Sequence, residues 1–197
     1  MTIENFYPTP VYISDVDNFE EIQNELEKNI SDIKFGTIDR WGKPHKISDP
    51  TFTENFLVDR NVNSLIDEIN THIKKYLIGI NAPQSPNLRG GVSYEIKSSW
   101  VTKFDRGEYA HIHNHGHFDI AGVYYYKVNN DHGNFFFECP VPQMSSSFLY
   151  HHLTNITQIL PKDGLLMLFP GYLNHGVYAN QTGTDRMSVS FNVTLHR

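Results

Sequence analysis

Cysteine is almost missing: Cys139 is the only one in 197 residues. No internal disulfide can form, and no Cys-X-X-Cys offers zinc binding or thiol redox chemistry, so a reducing compartment fits. The 16 Lys and Arg are outnumbered by 22 Asp and Glu, a net charge of −6, and they form no run or stripe. The electrostatics of the whole chain therefore give no sign of nucleic-acid binding. No apolar run approaches membrane-spanning length, and the stretch Met1 to Pro10 lacks the basic and apolar regions of a signal peptide. A cytoplasmic protein with no membrane partner is the expectation. Internal repeats and low-complexity segments are also missing.

The length predicts one domain over 1–197, with helical support in 1–91 and a β core in 92–197. Phe6 to Ile13 carries two prolines among alternating bulky residues, which suits an edge strand. Asp17 reads as a helix N-cap with Glu20 in the capping-box position, followed by Phe19, Ile22, Leu26, Ile30 and Ile33 at helical spacing. Gly36 to Thr53, around Trp41 and His45, has no period and reads as a surface loop of the kind that covers active sites. Val62, Leu65, Ile66, Ile69, Ile73, Tyr76 and Leu77 mark a second amphipathic helix stopped by Gly79. Asn81 to Gly91 is turn material.

After it the pattern changes to strands: Tyr94 to Phe104, Tyr109 to His113, Ile120 to Val128, Gly133 to Glu138, a weaker Leu153 to Leu160, Leu165 to Phe169, His175 to Tyr178 and Arg186 to Leu195. The turns between them predict an antiparallel sandwich or jelly roll. The fold class is thus α+β, mainly β, with two N-terminal helices packed on one sheet.

The chemistry concentrates in Tyr109 to Lys127. His111, His113, His115 and His117 recur every second residue, so an extended chain throws all four imidazoles to one side. Two imidazoles two apart on a strand can share one ion with a third from a distant strand. Gly116 should break the strand and leave His111 and His113 as the ordered pair, with His175 as the distant ligand. A three-ligand site with open positions suits non-haem iron better than a closed zinc cage, while catalytic zinc stays open as a reading.

His111-X-His113, Ala-Gly-Val-Tyr-Tyr-Tyr, Phe169-Pro-Gly-Tyr-Leu-Asn-His175 and Asp185-Arg-Met-Ser-Val-Ser-Phe-Asn192 together resemble the Fe(II)- and 2-oxoglutarate-dependent oxygenases. Within them the chain looks most like small oxygenases of bacteria and marine phages, which would place a phage-encoded copy in the host cytoplasm. The resemblance covers roughly Trp100 to Asn192. It implies a double-stranded β-helix, the jelly roll of the cupins, with Fe(II) near its open end and 2-oxoglutarate and O2 as co-substrates of a hydroxylating dioxygenase. Arg186 would grip the far carboxylate of 2-oxoglutarate bidentately. Ser188, on the same face, would add a hydroxyl donor, and Tyr125 a phenol, with Tyr124 the fallback if the register is off by one.

Most such oxygenases carry His-X-Asp or His-X-Glu, whereas His113 stands in the second position here. Asp119 is the alternative carboxylate. Trp100, Asn114, His115 and His117 are the candidate substrate contacts. Two other functions stay open: a cupin-like three-histidine enzyme without 2-oxoglutarate, and a non-catalytic jelly-roll module. The substrate is not legible in the sequence.

Overall fold

The computed structural model describes residues 2, 8–37, 45–49, 54–82, 92–154 and 156–196. Among the described residues, eleven strands form two antiparallel sheets, preceded or interrupted on the N-terminal side by three α-helical segments. The strands are β1 Tyr12–Asp15, β2 Phe35–Thr37, β3 Lys46–Ser48, β4 Ser93–Phe104, β5 Ala110–His113, β6 Ile120–Lys127, β7 Phe135–Phe137, β8 Thr157–Ile159, β9 Leu165–Pro170, β10 His175–Val177 and β11 Arg186–His196. The larger sheet runs β1-β9-β6-β11-β4-β3-β2 and the smaller β5-β10-β7-β8. The helices are α1 Phe19–Ile30, the single turn α2 Phe56–Asp59 and α3 Asn63–Gly79. None is long and apolar enough to cross a membrane.

Two apolar clusters explain why the central strands read as unbroken hydrophobic runs. Tyr124, Leu166, Leu168, Val189 and Phe191 pack with Ile22, Leu26, Leu65, Ile69 and Ile73 of the helices. Their neighbours Ala121, Val123, Tyr125, Leu165, Met167 and Phe169 pack into the space between the sheets. A strand apolar on both faces must have a layer on each side, here helices on one and the small sheet on the other.

On β11 the alternation breaks its own rule. Met187, Val189, Phe191 and Val193 face the helices, but the opposite face carries Arg186, Ser188, Ser190 and Asn192, the first, second and fourth of them buried. Polar residues on a face that should be core mark a site rather than packing.

Several local expectations are corrected. No capping box forms at Asp17: the N-cap is Asn18, with no side-chain cap, and its backbone N–H donates instead to Glu68 Oε1 at 3.3 Å. The start of α3 is capped from another helix, since Glu25 accepts from the backbone N–H of Asn63 and Ser64 at 3.0 and 2.9 Å. That places a carboxylate at the positive end of the helix dipole. Helix α3 does end at Gly79, as expected.

The expected loop Gly36 to Thr53 contains the paired strands β2 and β3, which extend the large sheet beyond β4; Trp41 lies outside the described residues. The expected first strand begins only at Tyr12, with 3–7 outside the described residues, as is 83–91 of the expected turn. Between β7 and β8 two short 3-10 helices, Pro142–Ser146 and His151–Thr154, replace the start of the expected weak strand.

Candidate metal centre

Three histidines meet at one end of the space between the sheets. The ligand-capable nitrogens of His113, His115 and His175 lie within 4.8 Å of one another, and no other such cluster of His, Cys, Asp or Glu occurs among the described residues. His113 and His175 are directly paired across β5 and β10, with ring centroids 4.4 Å apart.

His111 is not in the cluster, and a bulge is the reason. Val177 pairs with Ala110 and His175 with His113, so three steps along β5 match two along β10. The extra residue shifts the facing of the strand. Ala110 and His113 both look into the cavity, while His111 is exposed and its ring meets Tyr109 edge-on at 5.0 Å. Strict alternation, on which the pairing of His111 with His113 rested, does not survive that insertion.

His115 enters from the loop after β5 instead. Its backbone N–H donates to Gly171 O at 2.8 Å, and Gly116 turns the chain with a φ of 56°, stabilised by a bond from its N–H to Asn114 Oδ1 at 3.0 Å. The chain there passes so close to Gly171 that a Cβ on it would lie 2.0 Å from Phe118 O.

All three rings have the same tautomer. His113 Nδ1 bonds His111 O at 2.7 Å, His175 Nδ1 bonds Leu173 O at 2.8 Å and His115 Nδ1 bonds Asn192 Oδ1. Carbonyl oxygens can only accept, so each Nδ1 carries the proton and each Nε2 presents a lone pair. Burial is the main force lowering the pKa of His113 and His115 and taking His175 well below the ordinary range. Neutral imidazoles are the form a metal requires. His175 is caged by Phe135, Phe137 and Phe169, at centroid distances of 5.2, 6.4 and 4.8 Å.

A cleft enclosing about 520 Å3, part of it open to solvent, joins this cluster to Arg186 and Ser188. Arg186 is 1 % exposed. Its guanidinium carbon lies 5.0 Å from the Phe104 ring centre and 5.2 Å from that of Tyr125. Among the described residues no carboxylate lines the cleft; the adjacent Asp185 pairs with Lys103 at 2.6 Å instead.

Tyr125 Oη and Arg186 Nε are both buried without a well-aligned hydrogen bond. Burial pushes the Tyr125 phenol up to about 12, with the neighbouring guanidinium acting in the opposite direction. Tyr125 pairs with Ser188 across β6 and β11. Tyr124 faces the helices, with Gln23 Nε2 3.5 Å from its hydroxyl. A buried cation with no acidic partner, beside a phenol with no acceptor, fits an anion such as the carboxylate of 2-oxoglutarate. Three clustered imidazole nitrogens fit a borderline divalent ion with open positions, such as Fe(II).

The remaining candidates divide. Trp100 lines the cleft and stacks on His115 at 5.9 Å. Asn114 is exposed and donates to Asn174 Oδ1 at 2.8 Å. His117 is exposed against Phe118. Asp119 is exposed and outside the cluster: its Oδ2 accepts from the backbone N–H of Leu195 at 2.8 Å.

His45 was missed as a site residue. It is buried at the start of β3, lines the cleft and stacks on Phe104 at 4.7 Å with an interplanar angle of 8°. Burial above all, with the neighbouring His113, lowers its pKa to about 4. Its only sequence signal was its place in a histidine-bearing loop, since β2 and β3 are too short to show a period.

Residues 98–192 match the sequence model of the family described as "Putative 2OG-Fe(II) oxygenase". No curated protein gives a match by sequence. A prolyl-4-hydroxylase from Pseudomonas putida is similar in structure at 12% identity, covering 94% of this chain and 92% of that one, with a TM-score of 0.59. The viral collagen prolyl hydroxylase of Paramecium Bursaria Chlorella virus-1, solved as a 2OG complex, is similar at 15% identity over 93% and 94% of the two chains, TM-score 0.56. The epimerase SnoN, in complex with Fe3+, alpha ketoglutarate and nogalamycin RO, is similar at 11% identity over 94% and 79%, TM-score 0.64. These likenesses establish the jelly-roll fold. Residues 98–192, which carry the histidine cluster and the buried arginine, are similar to the 2OG-Fe(II) oxygenases.

Proposed function

We propose that the chain is a single oxygenase domain that hydroxylates an organic substrate, with Fe(II) held by His113, His115 and His175 and 2-oxoglutarate held by Arg186. The observation that carries this reading is Arg186: fully buried, without a carboxylate partner, in the wall of the same cleft as the histidine cluster. A cupin-like enzyme that uses no 2-oxoglutarate would have no reason to bury that charge.

Iron bound there supplies oxygen activation, coupled to decarboxylation of 2-oxoglutarate to succinate and CO2. The protein's part is placement. His113, His115 and His175 would hold the ion through their Nε2 atoms, and three protein ligands would leave positions for co-substrates. Phe104 and Tyr125 hold the guanidinium between their rings, so its fork meets the far carboxylate pre-oriented. Ser188, also lining the cleft, adds a hydroxyl donor, and the Tyr125 phenol, protonated because burial raises its pKa, donates a further bond.

Phe135 and Phe169 line the cleft beside His175 and exclude water from the reacting end. Trp100, stacked on His115, forms the wall on the substrate side. A third imidazole in place of a carboxylate leaves the centre one charge more positive than a His-X-Asp site.

The test is an anaerobic titration of metal-free protein with Fe(II) and then 2-oxoglutarate, following the weak visible charge-transfer band of a chelated keto acid. The band should appear only when both are present and should need far more 2-oxoglutarate in Arg186→Ala. Saturated iron without a band would reject 2-oxoglutarate chelation. No iron binding would reject the centre itself.

A further inference from the structure

Two of the three imidazoles are oriented by the backbone next to them. His113 donates to the carbonyl of His111 and His175 to that of Leu173, each two residues earlier in the chain. Such partners are supplied by any sequence that makes the turn. His115 differs: its Nδ1–H reaches the side chain of Asn192, 77 residues further on.

That amide is itself held. Asn192 is buried on β11, directly opposite Ser98 in the ladder with β4, at the point where a bulge shifts the register. Its Nδ2 donates to Ser98 Oγ at 3.0 Å, which aims Oδ1 at the imidazole. Trp100 covers one face of the same ring, 5.9 Å away and inclined by 25°. An imidazole on a glycine-turned loop is thus pinned at its nitrogen from one strand and on its face from another.

We infer that Asn192, aimed by Ser98, is the positioning residue of the His115 ligand, and that its neutral amide sets how strongly that ligand donates to the metal. The inference rests on the metal-centre reading above. A hydrogen-bond partner behind a ligating histidine fixes its tautomer and tunes its basicity, and losing such a partner costs roughly 10–100-fold in metal affinity. With an amide there, His115 stays a plain neutral donor. A carboxylate in the same place would pull the Nδ1 proton and make the imidazole a stronger donor.

The experiment compares Fe(II) binding, the 2-oxoglutarate charge-transfer band and the melting temperature of metal-free protein in wild type, Asn192→Ala, Asn192→Asp and Ser98→Ala. Asn192→Ala should lose roughly 10–100-fold in Fe(II) affinity, and Ser98→Ala a smaller factor in the same direction. Asn192→Asp should keep at least wild-type affinity and move the band to longer wavelength, because a more electron-rich iron lies closer in energy to the keto-acid acceptor. Wild-type affinity and an unmoved band in both Asn192 variants, with only the melting temperature lowered, would reduce Asn192 to a structural residue and overturn the inference. If Asn192→Ala does not fold, the isosteric Asn192→Asp and the milder Ser98→Ala decide it by the same two readouts. Failure of wild type itself to bind Fe(II) would overturn the metal centre and not this assignment alone.

Discussion

His113 and His175 face one another across the β5–β10 ladder with ring centroids 4.4 Å apart, and the bulge that makes them partners turns His111 out to solvent. The cluster of His113, His115 and His175 therefore divides the histidines differently from their even spacing in the sequence. Alanine at His113, His115 or His175 should each lower Fe(II) affinity by more than about 100-fold, beyond the effect of losing a supporting hydrogen bond. His111→Ala and His117→Ala should bind Fe(II) as wild type does. Isothermal titration under anaerobic conditions reads all five, and a loss in His111→Ala equal to that in His115→Ala would return His111 to the site.

In the proposed function Arg186 anchors 2-oxoglutarate, and its removal should have two opposite effects. Arg186→Lys should raise half-saturating 2-oxoglutarate roughly 30-fold, the equivalent of about 2 kcal/mol for a charge-assisted bond that loses its fork geometry. Tyr125→Phe should cost about 1 kcal/mol, or roughly 5-fold. In metal-free protein the sign reverses. Arg186→Met removes a buried charge that has no carboxylate partner there and should leave the melting temperature unchanged or raised. Steady-state turnover of 2-oxoglutarate and a thermal melt check the two halves.

Gly122 answers to Phe191, its direct partner between β6 and β11. A Cβ at Gly122 would stand 2.2 Å from the Phe191 ring, and the ring is fully buried. Gly122→Ala should destabilise the fold by about 1–3 kcal/mol through overpacking. Phe191→Leu should recover part of that loss when combined with it, so urea denaturation of the two single variants and the double variant should show a favourable coupling.

His45 gives a pH dependence with a definite sign. Its pKa in the fold is about 4, against an ordinary 6.5, so between those values the unfolded chain binds a proton that the folded chain does not. The stability His45 contributes is fully present above pH 6.5 and is lost as the pH falls towards about 4, by about 3 kcal/mol in all. His45→Phe keeps a ring against Phe104 and removes the titration. The stability difference between metal-free wild type and this variant should therefore shift against wild type from neutral pH to about pH 4.5. Equal acid sensitivity in the two would contradict the assignment.

The sequence by itself determined the strand-rich C-terminal half, the helical stripe of Leu65, Ile69 and Ile73, and the alternation of faces along β11. It could do so because these depend on periodicity within one element, where Arg186 and Ser188 share a face by spacing alone. The run Ile120 to Lys127 was legible as a strand for the same reason, while the structure decided that Tyr125 and not Tyr124 lies on the face with Arg186.

What only the tertiary structure decided were relations between elements. That His115 and not His111 clusters with His113 and His175 goes with a single extra residue in the pairing of β5 with β10, which leaves no mark on the local pattern. The entry of His45 depends on β2 and β3 docking at the edge of the large sheet, strands of three residues each and too short to alternate. The hold of Asn192 on His115 spans 77 positions. Side-chain facing follows from chain geometry within a strand, but register between strands is set by which pairing buries the most apolar surface and satisfies the most backbone groups, and that is a property of the whole fold.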